Sequence, residues 1–144
     1  MNFPHHYRVS GQAVSKGDVS LSSENLPALA SNAPAQFGGP GNQWSPEDLI
    51  TAAVADCFIL SFRAIAAASK FAFESLEVSV EGTLDKVERD MLFTGFKIHA
   101  TLCIPAGADA DRGKKLLEKA ETTCLITNSL KSDVHLECTV NQAG

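Results

Sequence analysis

The most apolar stretch of the chain runs from Leu49 to Phe62 and contains a single charged residue, Asp56, and a single thiol, Cys57. A serine, Pro46 and two acidic residues precede it. This pattern is typical of a helix start, because a serine hydroxyl caps free amide N–H groups and proline fits the first helical position. We therefore predict a helix of roughly 24 residues within Ser45–Lys70, about 35 Å long at about 1.5 Å per residue. Since this helix is apolar on nearly every side, we expect it to be buried all round. We judge the apolar run too short to span a bilayer, which takes about 20 residues.

Apolar and polar residues alternate loosely before this helix, from Tyr7 to Ser23, around a turn at Lys16-Gly17-Asp18. Such alternation on both sides of a glycine-containing turn predicts a short β-hairpin. The segment 26–44 is rich in proline and glycine, with Gly38-Gly39-Pro40-Gly41 at its centre, and we interpret it as a loop with one short strand before that motif.

The chain after the long helix predicts a second hairpin, a second helix and a last strand. Leu76–Val87 and Leu92–Ile104 alternate clearly, and the polar segment Asp85–Asp90 is expected to connect them. Asp109–Thr123 has the spacing of an amphipathic helix, and Val134–Val140 alternates again. The order β-β-loop-α-β-β-α-β indicates an α+β fold with a largely antiparallel sheet.

We predict that residues 1–144 form a single domain, because 144 residues are enough for one core and little more. A domain of this size would have difficulty covering both sides of so long an apolar helix. Two-fold homodimers are the commonest oligomers, and a partner copy would bury the other side. We therefore expect an obligate homodimer with the long helices at its centre.

Charge and cysteine content narrow the function. The formal net charge of −5 argues against binding to nucleic acid or to an anionic membrane. No basic segment followed by an apolar run begins the chain, so we expect no secretion signal and a cytoplasmic location. The cysteines at 57, 103, 124 and 138 lack the spacing of metal sites, and we interpret them as reduced thiols. We expect no metal site and no cofactor.

A reactive thiol on the long helix would need help to ionise. The thiolate is the nucleophile, and burial in apolar surroundings raises the pKa of a thiol. Reactivity at Cys57 therefore requires a nearby cation or several N–H donors. The alternative for any cysteine is a role as a small buried hydrophobe, which we expect for Cys138. For Cys103, on the polar face of its strand, we expect a structural or incidental role.

The chain resembles the OsmC/Ohr family of thiol peroxidases over nearly its whole length. The resemblance is carried by Gly38-Gly39-Pro40-Gly41, by Trp44-Ser45-Pro46-Glu47-Asp48-Leu49, by Ala55-Asp56-Cys57-Phe58 and by a second cysteine motif, Ala120 to Lys131. It implies an OsmC-like fold, with a long central helix against an antiparallel sheet in an intertwined homodimer. It also implies that two cysteines reduce organic hydroperoxides at a site built across the dimer interface.

Carried over residue by residue, the resemblance makes Cys57 the peroxidatic thiol and Cys124 the resolving thiol. Glu47 matches the family glutamate that organises a basic residue near the thiolate, and Lys16 or Arg8 would be that residue. Leu125 replaces the proline that usually follows the second cysteine. The resemblance further implies a dithiol reductant, of the lipoyl type or a small thiol.

Alternatives remain at this point. The chain would also suit a non-catalytic OsmC-like dimer that binds a small apolar ligand or senses oxidants through the same thiols. Glu47 would also serve as an ordinary first-turn acid that favours the helix dipole. Because a charge on an apolar helix is costly without a partner, we expect Asp56 to pair with Arg63.

Overall fold

The computed structural model describes residues 2–143. The chain consists of two compact units, and the boundary between them lies after Ile50. The α+β class predicted from the pattern is confirmed. Each unit contains a three-stranded sheet.

The first unit contains the predicted hairpin and a longer loop. Strands β1 (Ser10–Gln12), β2 (Val19–Ser22) and β3 (Leu29–Ser31) pair antiparallel in that order. A one-turn 3-10 helix, Ala35–Phe37, follows β3. Gly39 then passes so close to the backbone carbonyl of Ala33 that a Cβ atom there would overlap it. This close approach gives the second glycine of the motif a structural role in the loop.

Helix α1 (Pro46–Ala68) begins as the sequence predicts. The Ser45 hydroxyl accepts a hydrogen bond from the Asp48 backbone N–H (3.0 Å) and donates to Asp48 Oδ2 (2.9 Å). The same carboxylate oxygen accepts from the Ser45 backbone N–H at 3.2 Å. The two residues thus cap each other reciprocally, as in a capping box, with aspartate in the place of the usual glutamate.

The second unit is built on a mixed sheet. Strand β4 (Ser75–Val87) pairs antiparallel with β5 (Asp90–Ile104), and β6 (Asp133–Gln142) runs parallel to β5. The hairpin is confirmed, but the predicted polar connection shrinks to a tight turn at 88–89, because residues 85–87 pair with 90–92. The strands pair largely antiparallel, as predicted, and the parallel pairing of β6 with β5 is the exception. Helix α2 (Ala110–Thr123) and the short α3 (Leu125–Asn128) separate β5 from β6, and such a crossover returns the chain parallel.

The core of the second unit lies on one face of the sheet. Alternate residues of β5 are buried there: Phe96, Ile98, Ala100, Leu102 and Ile104. Helix α1 contributes a stripe of buried residues spaced four apart: Val54, Phe58, Phe62 and Ala66. Phe62 meets Phe73 edge to face, with ring centroids 5.1 Å apart. Phe58 is fully buried and is therefore a core residue.

Within one chain, helix α1 is buried on one side only, and its burial on the other side by a partner copy stays a prediction. Leu60 is 51% exposed, and Ala64, Ala67 and Ala68 are exposed as well. By length and composition alone the helix could cross a bilayer, since its most apolar window has a mean hydropathy of 1.8. The prediction that the apolar run is too short to span a bilayer is therefore wrong by these two criteria. Core helices of water-soluble proteins also meet them.

Gly82 of β4 offers a test of core packing. A Cβ atom there would lie 2.9 Å from Phe96 Cε1 and 3.1 Å from Phe93 Cε1, two rings that stack on each other. Overpacking of this kind costs about 1–3 kcal/mol. We expect Gly82→Ala to lower the free energy of unfolding by that amount in urea titrations. Gly11→Ala, whose Cβ would meet its nearest atom at 3.5 Å, is the control, and an equal loss in both variants would contradict this account.

Candidate functional site

The structure brings Cys57 and Cys124 together within the second unit. Cys57 lies in the middle of α1, and Cys124 lies between the end of α2 and the start of α3. The Cys124 side chain hydrogen-bonds to the sulfur of Cys57. Cys57 is half-buried and Cys124 is fully buried, and neither is in a disulfide. The two thiols therefore lie next to each other.

Hydrogen-bond donors surround the Cys57 sulfur. Burial raises the pKa of Cys57, but donors outweigh it: the backbone N–H of Ile126, the side chains of Cys124 and Ser61, and the backbone N–H of Leu125. Together they lower the pKa of Cys57 below its ordinary value of 9.0. Ser61 lies one helical turn after Cys57, with its hydroxyl oxygen 3.9 Å from the sulfur. The environment thus favours the thiolate at this position, since hydrogen bonds to the charged form stabilise it.

The pKa of Cys124 is raised, in contrast to that of Cys57. Burial raises the pKa of Cys124, hydrogen bonds from Thr127 only partly offset this, and the neighbouring Cys57 raises the pKa again. Within the pair, Cys57 is therefore the thiol that ionises first, while Cys124 keeps its proton and donates it to the Cys57 sulfur.

The break between α2 and α3 positions these donors. Helix α2 ends at Thr123, Cys124 is extended (φ −65°, ψ 112°), and α3 starts again at Leu125. The Cys124 carbonyl accepts from the Asn128 N–H (3.0 Å) and from the Thr127 hydroxyl (3.2 Å). The N–H groups in the first turn of a helix have no acceptor inside it. Those of residues 125 and 126 are consequently available to Cys57.

The other candidate residues of the sequence analysis lie in the first unit. Glu47 is half-buried in the first turn of α1, whereas Arg8 and Lys16 are exposed, one before β1 and the other between β1 and β2. Their roles near the thiolate stay predictions. The sequence required either a cation or several N–H donors, and the groups that lower the pKa of Cys57 are uncharged donors.

The two remaining cysteines have different surroundings. Burial and the neighbouring Glu74, whose Oε2 lies 3.6 Å from Cys103 Sγ, raise the pKa of Cys103. Burial and the charge of Glu118 raise the pKa of Cys138. Cys138 lies on the half-buried face of β6, as its position in the alternation predicts. Neither environment favours a thiolate.

The ion pair expected between Asp56 and Arg63 is not formed, because both residues are exposed and reach water separately. In the described part of the chain, Glu137 makes the ion pairs instead, to Lys97 (3.2 Å) and to His99 (3.3 Å). No group of three or more His, Cys, Asp or Glu within residues 2–143 is arranged to hold a metal ion.

An open, largely apolar groove of about 610 Å³ lies along the C-terminal half of α1. Its walls are Leu60, Ala64 and neighbouring alanines of α1 together with Phe71 and Phe73, and Arg63 is the charged residue at its edge. The groove begins one helical turn after Cys57.

Sequence reasoning missed the donors around Cys57. Ser61 had a detectable signal, because a residue four positions after Cys57 shares its helix face. The N–H groups of residues 125 and 126 had none, since every residue except proline has one and only the fold directs them at a sulfur.

The order in which the four thiols react with an alkylating reagent tests this electrostatic picture. Because only the pKa of Cys57 is lowered, we expect Cys57 to be alkylated at a lower pH than the other three cysteines. The midpoint of the rise of its rate with pH should lie below the ordinary pKa value of 9.0. Alkylation of the folded protein with iodoacetamide across pH, with mass mapping of each cysteine, measures this. Faster labelling of half-buried Cys103 at neutral pH would contradict it.

Known proteins share the family and the fold of this chain. The family model described as OsmC-like protein matches residues 39–139. The chain is 27% identical over 139 residues to the uncharacterized protein YmaD of Bacillus subtilis, covering 92% of this chain and 91% of that protein. It is 28% identical over 122 residues to the peroxiredoxin OsmC of Escherichia coli, covering 85% and 84%. The crystal structure of an organic hydroperoxide resistance protein OsmC from Legionella pneumophila has the same fold, with a TM-score of 0.76 at 23% identity and coverage of 97% and 99%.

Proposed function

Because the chain belongs to the OsmC-like family, we propose that it is a thiol-dependent peroxidase that reduces organic hydroperoxides to alcohols. The observation that carries the proposal is the pair of thiols: Cys57, with its lowered pKa, hydrogen-bonded to Cys124, with its raised pKa. The names of the Escherichia coli peroxiredoxin and the Legionella hydroperoxide resistance protein support the same activity.

In the proposed reaction, the Cys57 thiolate attacks the terminal oxygen of the hydroperoxide. The O–O bond breaks, and the alkoxide takes up a proton and leaves as the alcohol. Cys57 is oxidised to a sulfenic acid. Its sulfur then accepts attack by Cys124, which loses its proton, and the sulfenic hydroxyl leaves as water. The two thiols together supply the two electrons, and one disulfide remains.

An external dithiol closes the cycle by thiol–disulfide exchange. We propose a lipoyl-type or small dithiol, because such a reductant can release both Cys57 and Cys124 through one mixed disulfide. A reducing cytoplasm, where thiols are kept free, suits the starting state of this cycle.

The apolar groove along the C-terminal half of α1, which begins one helical turn after Cys57, favours an organic hydroperoxide over hydrogen peroxide as substrate. Burying an apolar chain against Phe71 and Phe73 would contribute about 25 cal/mol for each Å² removed from water. Hydrogen peroxide cannot make this contribution.

We further propose a homodimer in which the open side of α1 is covered by the partner copy. Exposed Leu60 on α1 and exposed Val87 and Met91 at the tip of the β4–β5 hairpin are large apolar side chains of the kind that dimer interfaces bury. Sedimentation equilibrium at micromolar concentration would yield twice the chain mass, and a chain that stays monomeric there would remove this part of the proposal.

A steady-state assay tests the activity. We expect reduced protein to consume cumene hydroperoxide with dihydrolipoamide as reductant, faster than it consumes hydrogen peroxide at equal concentration. A monothiol of equal thiol content is the reductant control. Consumption no faster than without protein, for both peroxides and both reductants, would refute the proposed function.

A further inference from the structure

The side chain of Asn128 bridges the break between α2 and α3. Asn128 is the last residue of α3, and its Nδ2 donates to the carbonyl oxygen of Thr122 in α2 at 3.2 Å. The last carbonyl groups of a helix have no donor inside it, so this bond satisfies one that α2 leaves free. The backbone N–H of Asn128 donates to the Cys124 carbonyl oxygen at 3.0 Å. One residue is therefore bonded both to the end of α2 and to Cys124.

Thr127 adds to the attachment of Cys124 to α3. The Thr127 hydroxyl donates to the Cys124 carbonyl oxygen at 3.2 Å, and both residues are buried. A helix of four residues is not stable by itself, so hydrogen bonds of this kind help to fix where α3 lies. Without the Asn128 side chain, Cys124 would keep its bonds to α3, but α3 would lose a bond to the end of α2.

We propose that Asn128 is a positioning residue for the resolving thiol: its side chain ties α3 to α2, so that Cys124 stays beside Cys57 and captures the oxidised sulfur. The resolving role rests on the proposed peroxidase function, whereas the effect on disulfide formation does not. Two groups held side by side react at a high effective concentration, because the entropy of bringing them together is already lost in the folded protein. Once the tie is removed, Cys124 samples more positions and the effective concentration falls.

The tie is expected to have a moderate effect, because Asn128 is exposed and water competes for the same groups. A neutral hydrogen bond contributes a factor of about two to ten to an equilibrium. Slower capture leaves the sulfenic acid of Cys57 in contact with peroxide for longer, and further oxidation gives the sulfinic acid. The expected result is therefore a changed partition of oxidised Cys57 between the disulfide and the sulfinic acid.

A test that needs no peroxide is the equilibrium with glutathione. The two protein thiols and one glutathione disulfide exchange to give the Cys57–Cys124 disulfide and two reduced glutathione molecules. The position of this equilibrium, with mass mapping of the disulfide, measures the effective concentration. We expect Asn128→Ala to lower it by about two- to tenfold. Asn128→Asp should lower it at least as much at neutral pH, because an ionised carboxylate has nearly the same shape as the amide but cannot donate.

Ser129→Ala is the matched control. Ser129 is also exposed, and its hydroxyl donates to the Leu125 carbonyl oxygen at 2.7 Å, a bond that stays on the α3 side of the break. This variant should keep the effective concentration of the unmodified protein. An equal loss in Ser129→Ala and Asn128→Ala would indicate a general loosening of α3 and would overturn the proposal. An unchanged value in Asn128→Ala or in Asn128→Asp would overturn it as well.

Peroxide supplies a second measurement. With cumene hydroperoxide and a dithiol present, Asn128→Ala should accumulate sulfinic Cys57 about two- to tenfold faster per turnover than Ser129→Ala. Equal over-oxidation in the two variants, in protein that does turn over, would contradict the positioning role. If Asn128→Ala shifts the glutathione equilibrium as expected but even the unmodified protein consumes no hydroperoxide, the peroxidase function alone is refuted.

Discussion

A Cys57→Ser variant is expected to consume cumene hydroperoxide no faster than the buffer with its dithiol reductant. A serine hydroxyl has no accessible anion near neutral pH and cannot become a sulfenic acid, so neither half of the reaction is available. The loss should be complete rather than partial, because no other thiol has a lowered pKa: those of Cys103, Cys124 and Cys138 are all raised. The measurement is hydroperoxide consumption under saturating reductant.

Cys103→Ser is the matched control for this experiment. It removes a half-exposed thiol that faces Glu74 rather than the Cys57–Cys124 pair, so it should retain full activity. If Cys57→Ser kept even half of the activity, the peroxidatic role of Cys57 would have to be abandoned.

A Cys124→Ser variant should carry out the first half of the reaction and then stall. Its Cys57 can still attack the peroxide, and the serine hydroxyl can replace the Cys124 thiol as a donor, but no neighbouring thiol is left to capture the sulfenic acid. With excess hydroperoxide, Cys57 should proceed to the irreversible sulfinic and sulfonic forms. Mass spectrometry of the intact chain would detect added oxygen atoms, and turnover with a dithiol should fall sharply.

The unmodified protein under the same peroxide excess, with reductant present, is the comparison and should gain no oxygen. A Cys124→Ser protein that turns over at the normal rate without over-oxidation would show that an external thiol, rather than Cys124, resolves the sulfenic acid.

The parts of the fold that depend on local pattern were predictable from the sequence. The start of α1 follows from Ser45 and Pro46, and the strands around 76–104 follow from strict alternation. The parallel pairing of β6 was not predictable in this way, because alternation fixes which residues share a face and says nothing of strand direction. Composition predicted an apolar α1, but which of its sides the chain itself covers was not predictable from composition.

The two cysteines of the candidate site were predictable from the sequence, but the groups around them were not. Cys57 and Cys124 stood in recognisable motifs 67 positions apart (124 − 57), whereas the donors to Cys57 come from a helix face and from backbone N–H groups. Leu125, in place of proline, could be recognised from the sequence as a departure from the family pattern. The break between α2 and α3, which places Cys124 beside Cys57, was not predictable from that departure.

The central claim, that Cys57 and Cys124 form a redox pair, is tested most directly by counting thiols. Reduced protein would be titrated before and after one equivalent of cumene hydroperoxide, and any disulfide would be mapped by mass spectrometry. The account predicts the loss of two thiols per chain, with a Cys57–Cys124 disulfide that a dithiol reverses. Four unchanged thiols would contradict the account, and would favour an OsmC-like protein that binds an apolar ligand without chemistry.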